Sequence, residues 1–296
     1  MKQAIHFTEM SKSYNEDELV QFLKTIFSVN RFGKPVVTNN HVLYEAYQLL
    51  SDIPLHIKEE ILYTRFYKDN EKRYKELIAR WMIELPGGTF NMGNHKEAKY
   101  LYCGEEPLHE VYLSPYKIMS IPVSTSLYKE FDPDYQSAPQ NYPATSITWY
   151  DSFMFAIWCN TDLPTEAEWE YAAKGGKNHH YPIDEHSLID YAWFSDNSGG
   201  KLHVIGQKKQ NNYGLYDING NVWEWCLDTY NSNYYSKTAS HNPVNINDGE
   251  NRVCRGGSFH SFIDMCRNNF RHHEPASFHA YDLGFRLVKH EGGQIQ

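Results

Sequence analysis

Over the first 84 residues, apolar side chains recur at helical spacing. Leu19, Phe22, Leu23 and Ile26 share one face behind Ser13-Tyr14-Asn15-Glu16, which predicts a capped helix. Val42, Tyr44, Tyr47, Leu49 and Leu50 predict a second helix. The stretch from Ile57 to Met82 predicts two more, with Lys and Glu on their exposed faces. The pattern breaks at Glu84-Leu85-Pro86-Gly87-Gly88. Beyond it, Pro, Gly and Asn punctuate short apolar segments, as in folds with much irregular structure. Two helices stand out there. Thr148 to Cys159 carries Phe153, Ile157 and Trp158 on one side. The other opens at Pro164-Thr165-Glu166-Ala167-Glu168, where Thr165 can cap the backbone and Glu168 can reach back to it, and stops at Gly175-Gly176. The expected organisation is a helical N-terminal region over 1–84 and a second, α+β domain over 85–296.

Composition adds three constraints. Aromatic residues are 15% of the chain, so the second domain is expected to have a core stacked with rings. The formal charge of −9 argues against a nucleic-acid partner, because phosphate binding needs clustered Lys and Arg. The chain opens with no basic-then-apolar leader and has no apolar run of about 18 residues, so a cytoplasmic protein with no membrane partner is expected. The five cysteines, Cys103, Cys159, Cys226, Cys254 and Cys266, include no Cys-x-x-Cys pair. Neither a zinc site nor a disulfide framework is indicated, and Cys159 and Cys226 read as small buried hydrophobes.

Groups with chemistry concentrate near the C-terminus. Between Arg255-Gly256-Gly257-Ser258 and Gly284-Phe285-Arg286-Leu287 lie His260, Ser261, Asp264, Cys266, His272, His273, Glu274 and His279. The nearby arginines Arg255, Arg267, Arg271 and Arg286 are dispersed and read as internal ion-pair or carbonyl-binding groups. Leu85-Pro-Gly-Gly-Thr-Phe-Asn-Met-Gly93, Leu163-Pro-Thr-Glu-Ala-Glu-Trp-Glu-Tyr-Ala-Ala173 and Tyr213-Gly-Leu-Tyr-Asp-Ile-Asn-Gly-Asn-Val-Trp-Glu-Trp225 precede them in order. Together these segments resemble the formylglycine-generating enzyme (sulfatase-modifying factor) family over residues 84 to 289. The resemblance implies a C-type-lectin-like fold, poor in regular secondary structure, with a small twisted antiparallel sheet and two helices.

That family hosts several activities, so the fold alone does not fix the function. Some members are copper-dependent oxidases that convert a sulfatase cysteine to formylglycine. Others resemble iron-dependent sulfoxide synthases or siderophore-tailoring enzymes. Still others are non-enzymatic, including ligand-binding proteins diversified by retroelements. In the formylglycine generators two cysteines, five residues apart, follow Arg-Gly-Gly-Ser and hold copper(I). Here those positions fall on Ser261 and Cys266, and a hydroxyl cannot complete a linear two-thiolate site. The His-x-x-x-His-x-Glu pattern of the sulfoxide synthases does not occur in residues 1–84. Trp225 and Ser258 match residues at the family's active site, so the resemblance implies a catalytic set of Trp225, Ser258, Ser261 and Cys266. It also implies a structural calcium on the carbonyls of Asn219, Gly220 and Val222 and the carboxylate of Glu224. The alternative there is internal pairing of Glu224 with an arginine or with backbone amides.

Two functions are consistent with these residues. The sequence favours a metal-dependent oxidoreductase acting on a small molecule or peptide. Its iron or copper would be taken by Cys266 or a histidine, with Asp264 or Glu274 completing a facial set. The alternative is a non-catalytic protein with a display surface for a protein ligand. Phe259 to Asp264 and Ser277 to Tyr281 mix rings with small polar groups and show no period, as adaptable binding surfaces do. They resemble the variable segment of the retroelement-diversified proteins. Ligand-binding candidates on either reading are Phe259, His260, Phe262, Asp264, His272, His273 and His279. The display reading fails if Phe259, Phe262 and Phe278 are buried rather than displayed on the surface.

Overall fold

The computed structural model describes residues 69–95, 104–177, 179–182, 186–247 and 249–290. The helices expected before residue 69 lie outside the described residues. Helix α1 (Asn70–Arg73) runs through a wide turn at Tyr74–Ile78 and a tight one at Ala79–Trp81 into strand β1 (Met82–Leu85). The helical pattern read up to Met82 therefore stops at Trp81. Tyr74 and Ile78 enter the main core, and Arg73 Nε donates to the Trp158 carbonyl at 2.7 Å. Tyr74, Ile78 and β1 thus pack with the rest of the described residues. The break at Pro86-Gly87-Gly88 is a turn between strands of two different sheets. Gly87 has φ +67°, and a Cβ there would lie 2.2 Å from the Leu113 carbonyl oxygen.

Three small sheets organise the chain. In the first, β1 and β9 (Val288–Lys289) flank β4 (Tyr116–Met119). In the second, β2 (Gly88–Met92) pairs with β3 (His109–Leu113). The third has the order β7 (His272–Pro275), β6 (Asn251–Arg255), β5 (Trp223–Thr229), β8 (Leu283–Gly284). Pairing is antiparallel except that β8 runs parallel to β5. Helices α2 (Thr125–Phe131), α3 (Trp149–Trp158) and α4 (Glu166–Lys174) complete the frame. The mixed α+β character with little regular structure agrees with the sequence.

Local chemistry explains the helix limits. Thr165 Oγ1 accepts the Glu168 N–H while Glu168 accepts the Thr165 N–H, and Thr148 and Asp151 do the same for α3. Gly175 closes α4 in the left-handed region at φ 58°. The core is aromatic, as composition suggested. Phe131, Phe155, Trp158 and Phe285 meet near edge-on, with Phe155 and Phe285 centroids 5.6 Å apart. Each buried ring contributes roughly 2–3 kcal/mol.

Buried arginine forks link the sheets where backbone ladders are short. Arg286 grips Glu224 with two bonds of 2.7 Å and also donates to the carbonyls of Met119 and Tyr216. Arg267 grips Glu105, and Arg271 grips Glu166, in the same two-pronged way. The expectation that these arginines are internal is thereby met. Among the described residues, no helix is long and apolar enough to cross a membrane.

Candidate functional site

Strand β6 delivers Arg255 into the core and turns at Gly256-Gly257. Gly257 has φ +75°, and a Cβ on it would lie 2.6 Å from Cys266 Sγ. Only a bare backbone lets the loop lie against that thiol. The loop is then held at both ends of Phe259. Phe259 N–H donates to the Asn221 carbonyl at 3.0 Å, and Ser198 Oγ donates to the Phe259 carbonyl at 2.7 Å. Ser261 N–H donates to the Ser258 carbonyl, closing a tight turn that projects the His260 side chain outward.

The hydroxyls of the implied catalytic set serve this loop. Ser258 Oγ donates to Asp282 Oδ2 at 2.7 Å, and Ser261 Oγ accepts the Ser258 N–H at 2.8 Å. Both serines are buried. Trp225 is fully buried, with its indole N–H on the Ile147 carbonyl at 3.0 Å. Cys266 is fully buried among Tyr181, Leu188, Ala192, Phe194 and Ile263. Burial pushes its thiol far above the ordinary cysteine value, with a smaller push from Asp196. A neutral, enclosed thiol is a poor metal ligand and a poor nucleophile. Ser258, Ser261 and Cys266 thus lie against the inside of the loop, while Trp225 is held in the core by Ile147.

The histidines and acids diverge. His272 Nε2 meets Glu274 Oε1 at 3.1 Å and its ring packs on Trp223. His273 stacks on Tyr230 at 4.0 Å, with its ring centroid 6.1 Å from that of His272. Its pKa is lowered by burial and then by His272. His260 packs against Phe259 and Tyr281, and His279 is exposed. The Asp264 carbonyl accepts from Arg267 Nε. Among the described residues, no three His, Cys, Asp or Glu side chains are grouped as a metal ion requires.

The calcium set does not fit a cation either. Glu224 Oε1 is taken by Arg286, and Oε2 by Arg286 and the Trp169 indole N–H at 2.8 Å. The Gly220 carbonyl accepts the Val222 N–H. Asn219 turns its amide N–H groups to Cys266 O and Asn268 Oδ1. The guanidinium thus already provides the positive charge at Glu224, and the internal pairing weighed from the sequence is what the structure holds.

Outward, the same loops carry rings. Phe262 is 67% exposed, Tyr281 62% and Phe278 40%, whereas Phe259 is 2% exposed and belongs to the core. The placement of Phe259 on the ligand surface is therefore corrected. It is the buried anchor on which His260 and Tyr281 rest, with centroids at 4.3 and 6.0 Å. Sequence reasoning missed Asp282. This carboxylate ties the Ser277–Tyr281 loop to the Ser258 loop, 24 positions away, and no spacing pattern marks such a partner.

This combination of three small sheets, paired helices and long pinned loops is a C-type-lectin-like fold of the formylglycine-generating type. The match to the Sulfatase-modifying factor enzyme 1-like domain covers residues 67–291, and the chain belongs to that family. It is 28% identical over 273 residues to the formylglycine-generating enzyme of Thermomonospora curvata, covering 69% of this chain and 90% of that protein. It is 29% identical over 264 residues to the serine/threonine-protein kinase pkn1 of Chlamydia caviae. That match covers 79% of this chain, but the chain spans only 42% of the kinase's length. Among solved structures, Treponema denticola variable protein 1 superposes with a TM-score of 0.62 at 27% identity, over 70% of this chain and 94% of that one.

Proposed function

We propose that this protein is a non-catalytic binding module of the sulfatase-modifying factor family, with a protein ligand recognised by the rings of its 259–282 surface. The observation that carries this reading is the inversion across one loop. Phe262, Phe278 and Tyr281 face solvent, while Cys266, Ser258 and Ser261 are sealed beneath them. Rings on a rigid, glycine-pinned backbone offer contact area at little entropic cost, the economy that binding loops exploit. His260 and His279 place polar, titratable edges beside them. The match to a protein named for its variability supports a display role.

The oxidoreductase reading draws on the relatives named formylglycine-generating enzyme. With Cys266 as the metal ligand it would require that thiol to open to solvent and ionise, against a strong burial penalty, and with a histidine it would require ligands that are not grouped among the described residues. The display reading is tested with bis-ANS, a dye that reports apolar surface. The triple variant Phe262→Ser, Phe278→Ser, Tyr281→Ser is expected to lose most of the dye signal with an unchanged melting temperature. An unchanged signal in a folded variant would place the apolar surface elsewhere and remove the proposal's basis.

A further inference from the structure

A second site lies away from these loops, where the C-terminal end of α4 meets β2. The notch there encloses about 270 Å³, close to the lower end of small-ligand sites. Its walls are the rings of Phe90, Tyr171 and Tyr213, with Phe90 edge-on to Tyr171 at 5.3 Å and Tyr213 stacked on Tyr171 at 5.6 Å. The Tyr213 hydroxyl donates to the Tyr171 hydroxyl at 3.1 Å, which in turn donates to the Gly87 carbonyl, so both rings are fixed. Gly176 forms part of the rim. A Cβ there would lie 3.1 Å from the Tyr213 hydroxyl and crowd the opening, and its φ of +78° suits glycine alone.

The charge in the notch comes from inside the molecule. A buried chain of ion pairs runs Arg271, Glu166, Arg255, Glu170, Lys174, with Arg271–Glu166 at 2.7 Å, Arg255–Glu166 at 3.7 Å and Lys174–Glu170 at 2.9 Å. Three cations alternate with two carboxylates, and the chain ends at Lys174 in the wall of the notch. Asp228 supplies a further carboxyl, but at the opposite end beside Glu166. Lys174 is only 6% exposed. Two of its three N–H groups go to Glu170 and the Asn91 carbonyl, which leaves one. Lys177 lies on the same notch, exposed and with no side-chain partner among the described residues. In a chain of net charge −9, this notch pairs a buried lysine with an open one beside three rings.

We propose that the Phe90–Tyr171–Tyr213 notch binds a small organic anion with a flat ring and a carboxylate, the ring against the aromatic walls and the carboxylate on Lys174 and Lys177. This site does not depend on the display reading. It is tested on the full chain by saturation-transfer NMR and titration with benzoate. Acetate serves as the anion without a ring and benzyl alcohol as the ring without charge. Saturable benzoate binding near ~1 mM is expected, with both controls at least ~10-fold weaker. Lys177→Glu, which inverts an exposed charge, and Thr89→Trp, which fills the notch from β2, should each weaken benzoate at least ~5-fold at unchanged melting temperature. Phe262→Ser should leave it unaltered. No saturable binding would overturn the site, as would equal binding of benzyl alcohol or insensitivity to both notch variants. Loss of binding in Phe262→Ser alone would move the anion to the display loops and equally overturn it.

Discussion

Phe259 and Phe262 stand three positions apart and face opposite ways, one 2% exposed and the other 67%. Phe259→Ala should cost about 3–5 kcal/mol in chemical denaturation, through lost burial and the cavity left behind. Phe262→Ser should change stability by no more than about 0.5 kcal/mol. A comparable loss from both would contradict the inversion. Among the titrating side chains, His290 and Asp228 make stability fall as pH rises. His290 Nε2 meets Glu168 Oε1 at 2.6 Å, and Asp162 stands 3.6 Å from Nδ1. Burial disfavours the imidazolium, but the two carboxylates outweigh it and lift the pKa to about 10. A raised cationic pKa contributes fully below the unfolded value near ~6.5 and is lost as pH climbs toward 10. Burial, then the Glu166 carboxylate, lifts the Asp228 pKa to about 7. A raised carboxyl pKa favours the folded state while protonated, so that term is lost between about pH 4 and 7. The melting temperature should therefore fall from pH 5 to 9. His290→Gln should flatten the upper half of the profile and Asp228→Asn the lower half, and an unchanged slope in both would refute these assignments.

At the scale of elements, turns and caps hold the site. Gly257→Ala should cost about 2–4 kcal/mol, because the φ is positive and the new methyl meets Cys266 Sγ. A cost under about 1 kcal/mol would show that the loop gives way. Thr165→Ala removes only the cap of α4 and should cost about 1 kcal/mol. On β5, the Glu224 carboxylate is held by Arg286 and Trp169, so EGTA should leave the melting temperature unchanged. A fall of several degrees would return calcium to that strand. These elements also show what a sequence reveals. The cap of α4 was legible because it links residues three apart in the chain. The strands were not, since β8 and β9 are two residues long and their pairing joins distant segments.

At the scale of the molecule, the α+β fold and its ring-filled core were legible from composition and motif order. Pro86-Gly87-Gly88 breaks the pattern as a domain boundary would, yet β1 before it lies in a sheet with β4 and β9. The candidate site was half legible. Its residues cluster in sequence, but irregular loops have no period to assign sides, so the buried thiol and exposed rings looked equivalent. Asp282, which binds the two loops together, carried no signal. The buried arginines were foreseen individually; their joining into a chain that charges the Lys174 notch required the three-dimensional arrangement. The central claim is that the family's catalytic position has become the inner support of a display surface. It is tested most directly by measuring redox-metal content and oxygen uptake of the purified full chain after anaerobic reconstitution with iron(II) and, separately, copper(I). The account predicts no stoichiometric metal retained after desalting and no oxygen consumed above the buffer rate. About one iron or copper per chain, with oxygen uptake abolished by Cys266→Ala, would contradict it.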